Sequence, residues 1–151
     1  MKQLVLTASS IEDTEKLGKA IGTLLEGGEF IALMGDLGAG KTTLTRAVAR
    51  ELGINNAQSP TFTIVREHTG TLPLLHFDAY RLSCADELYA IGFDDYLARK
   101  SVIIMEWCEN VSEALPPERL EIRIFGNGDD ARTFAFTALG ARYERLLGGL
   151  Q

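Results

Sequence analysis

Three hydrophobic rhythms run along this chain, and each predicts a different kind of element. Residues 3–7 read as a short opening strand, and two-residue alternation over 119–125 and 132–137 predicts half-buried strands. The last two flank the turn Gly126-Asn127-Gly128-Asp129 and are expected to form an antiparallel hairpin at the edge of a sheet. Residues 29–34 predict a buried strand, and the continuous apolar run over 102–105 predicts a strand covered on both faces. Spacings of three and four place Leu17, Ala20, Ile21, Leu24 and Leu25 on one buried helical stripe. That helix is opened by the hydroxyl-then-acid spacing of Ser9-Ser10-Ile11-Glu12-Asp13 and closed by Gly27-Gly28. A second amphipathic helix covers 43–52 and stops at Gly53. Beyond it the pattern predicts a hairpin of strands 62–68 and 74–80, short helices at 85–91 and 94–98, and a terminal helix at 142–147.

The chemistry lies where the first continuous strand meets the second helix. Gly35-Asp36-Leu37-Gly38-Ala39-Gly40-Lys41-Thr42 fits a phosphate-binding loop, G-x-x-x-x-G-K-[ST], in the order strand, glycine loop, helix. Glycines there allow consecutive N–H groups to converge on phosphate oxygens, and the helix N-terminus adds partial positive charge. Lys41 is expected between the β- and γ-phosphates, Thr42 on Mg²⁺, and Thr43 at the end of the cradle. The fold expected is α/β, a three-layer P-loop NTPase-like sandwich with a mixed central β-sheet, made as one domain over residues 1–151.

Such a loop needs an acid at a neighbouring strand end to serve the divalent ion. Glu106 follows the most apolar run in the chain and is assigned to Mg²⁺, whereas Asp78 is assigned to the metal's outer shell or to the attacking water. Ser59-Pro60-Thr61 precedes a strand after the loop helix, where nucleotide switches sense the γ-phosphate, and Thr61 is the candidate sensor. Ile11 and Thr14 are candidates for adenine-side contacts, with plain capping and packing as the alternative, and Trp107 is a candidate for stacking near the nucleotide. His76 has no second histidine nearby and is read as a core or hydrogen-bonding residue. Arg66, Arg81 and Arg132 are candidate transition-state cations, unless a partner supplies one.

Composition narrows the choice of partners. The 151 residues carry 21 acidic and 15 basic side chains, a net charge of −6, so no broad basic face for a long nucleic acid is expected. Any RNA is expected to be held by a partner. Cys84 and Cys108 have no metal or redox spacing and are read as small buried hydrophobes in a reducing compartment. With no 18-residue apolar run and no leader pattern, a cytoplasmic protein without membrane contact is expected. No Asn-Lys-x-Asp or Thr-Lys-x-Asp occurs, which favours adenine over guanine, and no arginine-rich lid of the small-molecule kinase type is present.

The phosphate loop with Thr43, then Ser59-Pro60-Thr61-Phe62-Thr63, His76-Phe77-Asp78-Ala79-Tyr80-Arg81, Glu106-Trp107 and Leu115-Pro116-Pro117-Glu118-Arg119-Leu120, together resemble the bacterial TsaE (YjeE) family over roughly residues 1–125. The resemblance implies an ATP- and Mg²⁺-dependent ATPase needed for making N6-threonylcarbamoyladenosine at position 37 of tRNA. It implies work beside the TsaD–TsaB pair, which makes the transfer, with tRNA met only through that complex. It also implies phosphate and metal roles for Lys41, Thr42 and Glu106, and switch-side and catalytic roles for Thr61 and Asp78. His68 and Cys108 depart from the family's pattern, which has tyrosine in many relatives at the first position and proline or glycine commonly at the second. A small-molecule kinase and a nucleotide-switched binding module are the competing readings.

Overall fold

The computed structural model describes residues 1–36, 38–60, 63–126 and 130–151. In chain order the elements are β1 (Lys2–Ala8), α1 (Ile11–Leu24), β2 (Phe30–Gly35), α2 (Lys41–Glu51), β3 (Val65–His68) and β4 (Leu74–Asp78). They continue with α3 (Ala85–Ala90), α4 (Phe93–Leu97), β5 (Val102–Glu106), a 3-10 helix (Cys108–Ala114), β6 (Arg119–Gly126), β7 (Arg132–Leu139) and α5 (Ala141–Leu150). The strands form one sheet in the order β1-β7-β6-β2-β5-β4-β3. β6, β2, β5 and β4 run parallel to one another, while β3 pairs antiparallel with β4, and β7 antiparallel with both β6 and β1.

Helices cover both faces, which gives the expected three-layer α/β sandwich with a mixed sheet. On one face, Ile21 of α1, Leu44 and Val48 of α2 and Leu147 of α5 pack on Leu33, Ile104, Ile122 and Phe136. On the other, Leu88 of α3, Phe93 of α4 and Val111 of the 3-10 helix pack on Ala32, Phe77 and Met105. Phe77 meets both Phe93 and Tyr96 edge-on with ring centroids 5.4 Å apart. Such pairs contribute about 0.5–1.5 kcal/mol each beyond their buried area.

Several elements differ from the sequence reading, each for a local reason. The 119–125 and 132–137 hairpin is not at the edge: β6 pairs with β2 and β7 with β1, so β1 is the edge strand. Alternating polarity there reflects one uncovered face, not an edge position. In α1 the buried positions are Thr14, Gly18, Ile21 and Gly22, while Ala20 is exposed. A Cβ on Gly18 would lie 2.4 Å from the Ala47 Cβ, so the missing side chain lets α1 and α2 approach closely. Glu29 belongs to the turn before β2, because its carboxylate accepts the Glu26 and Gly27 N–H groups at 2.7 Å each. β3 begins only at Val65, after the Thr63 hydroxyl has bonded the Val65 carbonyl at 3.3 Å. β4 stops at Asp78, whose Oδ1 accepts the Tyr80 N–H at 2.9 Å and turns the chain. Cys108 is buried as expected, but Cys84 is exposed at the start of α3. No helix among the described residues is long and apolar enough to cross a membrane.

Candidate functional site

Parallel pairing brings three strand ends to one edge of the sheet. Leu33 of β2 is in register with Glu106 of β5, and Glu106 with Asp78 of β4. Both acids therefore stand beside the loop that leaves β2. In that loop the Ala39 N–H bonds the Asp36 carbonyl at 3.0 Å, and Gly40 takes φ 105°, a left-handed angle from which α2 starts at Lys41. Among the described residues no side chain caps this helix, so the first-turn N–H groups keep their donor capacity for something else.

A cavity of about 390 Å³ opens here. Its floor is made by Gly38, Gly40, Lys41, Thr42 and Thr43 from the loop and α2. Asp78, Glu106 and Trp107 close one side, and Ile11 and Thr14 of α1 another. The predicted adenine-side, acidic and stacking residues thus share one cavity with the phosphate loop. Gly35 and Asp36 lead into the loop without lining the cavity, and Ala39 is buried in the core. Leu37 and Thr61 lie outside the described residues, although Ser59, just before Thr61, lines the cavity. Of the three candidate cations, Arg132 lines the cavity and donates to the Gly38 carbonyl at 3.1 Å. Arg81 lines a neighbouring depression with Ser59 and Asp78, while Arg66 is exposed on β3 and lines neither.

Electrostatics tie the buried groups together. Lys41 is 7% exposed, with Nζ 3.7 Å from Glu106 Oε1 and 4.9 Å above the Trp107 ring centroid. Trp107 holds φ 61°, the left-handed region that favours glycine, so its ring is kept over Lys41 at a backbone cost. Glu106 Oε2 lies 2.7 Å from Nε2 of His76, itself 2% exposed. Burial pushes the Glu106 carboxyl up, but its hydrogen bond to His76 and the charges beside it outweigh that and hold it below its ordinary value. Burial raises the Asp78 carboxyl instead; the Tyr80 N–H pulls it back in part, and the Glu106 charge raises it again. The two acids in register are thus shifted in opposite directions from their ordinary values.

The sequence reading gave His76 a hydrogen bond but no partner. The signal was its parity: His76 and Asp78 are two apart on one strand and so share a sheet face. Asp130, which also lines the cavity, had no sequence signal. The two departures from the family's pattern lie away from the cavity's lining: Cys108 in the 3-10 helix, and His68 in a depression with Glu67 and Arg99.

This donor set fits a polyphosphate and a small hard cation. An uncapped helix start and a buried lysine suit phosphate oxygens, and Thr42 and Glu106 offer hard oxygen ligands. No group of three or more His, Cys, Asp or Glu side chains among the described residues could hold a metal. A cation there would thus draw further ligands from phosphate and water, as Mg²⁺ does.

Comparison with known proteins agrees with this layout. Residues 8–134 match the family model described as threonylcarbamoyl adenosine biosynthesis protein TsaE. The chain is 45% identical over 148 residues to the tRNA threonylcarbamoyladenosine biosynthesis protein TsaE of Bacillus subtilis, covering 97% of this chain and 92% of that one. It is 42% identical over 137 residues to the protein of the same name from Streptomyces coelicolor, covering 85% and 92%. The crystal structure of Bacillus subtilis YdiB superposes with a TM-score of 0.86 at 41% identity, covering 99% of this chain and 94% of that one. Motif order, topology and sequence agree along nearly the whole length, and the chain belongs to the TsaE family.

Proposed function

We propose that this chain is an ATPase that supports N6-threonylcarbamoylation of adenosine 37 in tRNA, acting beside the TsaD–TsaB pair that makes the transfer. The carrying observation is that an uncapped α2, the buried Lys41 and the register pair of Asp78 and Glu106 converge on one cavity. Family membership supplies the process, tRNA threonylcarbamoyladenosine biosynthesis. The net charge of −6 suits a subunit that leaves the tRNA to its partner.

In this reading the N–H groups of the loop and of the first turn of α2 donate to phosphate oxygens. Lys41 offsets charge as the bond to the γ-phosphate breaks. Thr42 and Glu106 hold Mg²⁺, which when bound supplies a Lewis acid for the phosphate oxygens. Asp78 keeps Oδ1 on the Tyr80 N–H and uses Oδ2 to orient the attacking water. Ile11 and Thr14 flank the adenine, Trp107 stacks beside the nucleotide, and Thr61 senses the γ-phosphate. Water attack yields ADP and phosphate, and this turnover supports the partner enzyme.

The test is the ATP hydrolysis rate of the purified chain, alone and with the TsaD–TsaB pair, with GTP in parallel. A slow rate that rises with the pair and falls with GTP is expected. Lys41→Ala should lower the stimulated rate roughly 100- to 1,000-fold, the effect of removing one electrostatic stabiliser. No hydrolysis under either condition would remove the enzyme reading, and hydrolysis indifferent to the pair would remove the coupling.

A further inference from the structure

Glu106 has both carboxylate oxygens engaged, and by different partners. Oε1 lies 3.7 Å from Lys41 on the cavity floor, whereas Oε2 lies 2.7 Å from Nε2 of His76. His76 comes from the adjacent strand: its Cα is in register with Ile104, two residues before Glu106, so the imidazole reaches diagonally along one sheet face. A carboxylate only accepts, so Nε2 carries the hydrogen. His76 is 2% exposed and stands on the sheet face that buries Leu74 and Ile104, where an aliphatic side chain would fill the space without polar atoms to satisfy.

We propose that His76 is a positioning residue that makes Glu106 a one-oxygen ligand. By holding Oε2 it fixes the carboxylate plane and leaves Oε1 alone to face the cavity. The difference bears on which cation fits. Mg²⁺ requires near-octahedral geometry at about 2.0–2.1 Å and takes carboxylates one oxygen at a time, while the larger Ca²⁺ accepts both oxygens of one carboxylate. A pinned Oε2 therefore favours Mg²⁺ and disfavours Ca²⁺. Partners of this kind, bonded to a ligand and not to the metal, typically control metal affinity 10- to 100-fold. The inference rests on the nucleotide and Mg²⁺ reading given above.

The experiment measures affinity for a fluorescent, non-hydrolysable ATP analogue in EDTA, in Mg²⁺ and in Ca²⁺. It uses the wild-type chain, His76→Leu and His76→Gln, each first shown to be folded by its thermal midpoint. Leucine keeps the volume and removes the donor; glutamine restores an N–H near the position of Nε2. In His76→Leu the EDTA affinity should stay within about twofold, and the gain from Mg²⁺ should fall about 10-fold or more. The Mg²⁺ over Ca²⁺ preference should narrow with it, and His76→Gln should recover most of both. If leucine prevents folding, His76→Asn, whose amide is too short to reach Oε2, replaces it in the same comparison. A folded donor-less variant with the wild-type Mg²⁺ to Ca²⁺ ratio overturns the proposal, as does a glutamine variant no better than leucine. A wild-type chain whose nucleotide affinity ignores Mg²⁺ overturns the metal reading itself, and the role of His76 falls with it.

Discussion

The parallel strands β4, β5 and β2 and the antiparallel run β6, β7 and β1 bury their side chains by different rules. Val102 to Glu106 are buried without interruption, and β2 is buried from Phe30 to Leu33, because helices cover both faces. In β6 and β7 the inward Leu120, Ile122, Ile124, Phe134, Phe136 and Ala138 are buried, while Arg123 and Phe125 are exposed and Val5 of β1 is 62% exposed. A polar side chain on the outer face of the second region meets water and needs no explanation. In the first region it needs a partner. His76, Asp78 and Glu106 are the polar residues that meet that demand, and all three belong to one hydrogen-bonded and charged corner. The polar groups buried in the sheet thus gather at one end of its parallel half.

The largest expected effect comes from damaging the antiparallel half. Phe136 is 1% exposed, and Phe136→Ala should cost about 3–5 kcal/mol from lost transfer energy and the cavity left behind. For a chain of this size that lowers the melting temperature by roughly 6–20 °C. At a temperature where the variant is still folded, its affinity for Mg²⁺ and nucleotide should match wild type. A collapse of affinity in the folded variant would show that the two halves are not separate.

Next in size is the contact that joins the phosphate loop's helix to the cavity wall. Gly18 leaves room for Ala47, and Gly18→Val places branched carbons where even a Cβ would lie 2.4 Å from a neighbour. Overpacking of this kind costs about 1–3 kcal/mol. Because α1 also presents Ile11 and Thr14 to the cavity, this substitution should weaken nucleotide binding together with stability, unlike Phe136→Ala. Melting curves and nucleotide titration on the same two variants make the comparison. Equal affinities in both would remove α1 from the site.

Much of this was legible in the sequence, because the signals were strong and local. The run at 102–105 marked a doubly covered strand, and the glycine loop between strand and helix placed Lys41 and Thr42. Their places at strand ends brought Asp78 and Glu106 forward. What escaped depended on neighbours far away in the chain. The pairing of β6 with β2 is a choice of partner that alternation cannot encode, so alternation alone points the hairpin to an edge. Gly18 carries no such signal, because a hydrophobic stripe is a pattern of side chains and here the close approach depends on having none. The bond from His76 to Glu106 joins residues 30 apart, and only strand register brings them together.

The smallest effect separates the two acids within the active corner. Asp78 has its carboxyl raised, first by burial, so the folded chain binds that proton more tightly than the unfolded chain does. Stability then falls as pH climbs from the ordinary carboxylate value through the raised one, and the full deficit is present at neutral pH. Asp78→Asn removes the charge and keeps an oxygen for the Tyr80 N–H, so it should stabilise at pH 7. Since Asp78 is only half-buried and water screens it, the gain should be about 1 kcal/mol or less, and it should shrink as pH falls toward 4. Glu106 has the opposite sign: its lowered carboxyl contributes stability above the ordinary glutamate value, which is lost as pH falls through the lowered one. Glu106→Gln should therefore melt lower than wild type at pH 7, while Asp78→Asn melts higher, although on the proposed mechanism both should lose hydrolysis. If Asp78→Asn also melted lower at pH 7, Asp78 would be a stabilising partner of the corner, and the role proposed for it in orienting the attacking water would have to be given up.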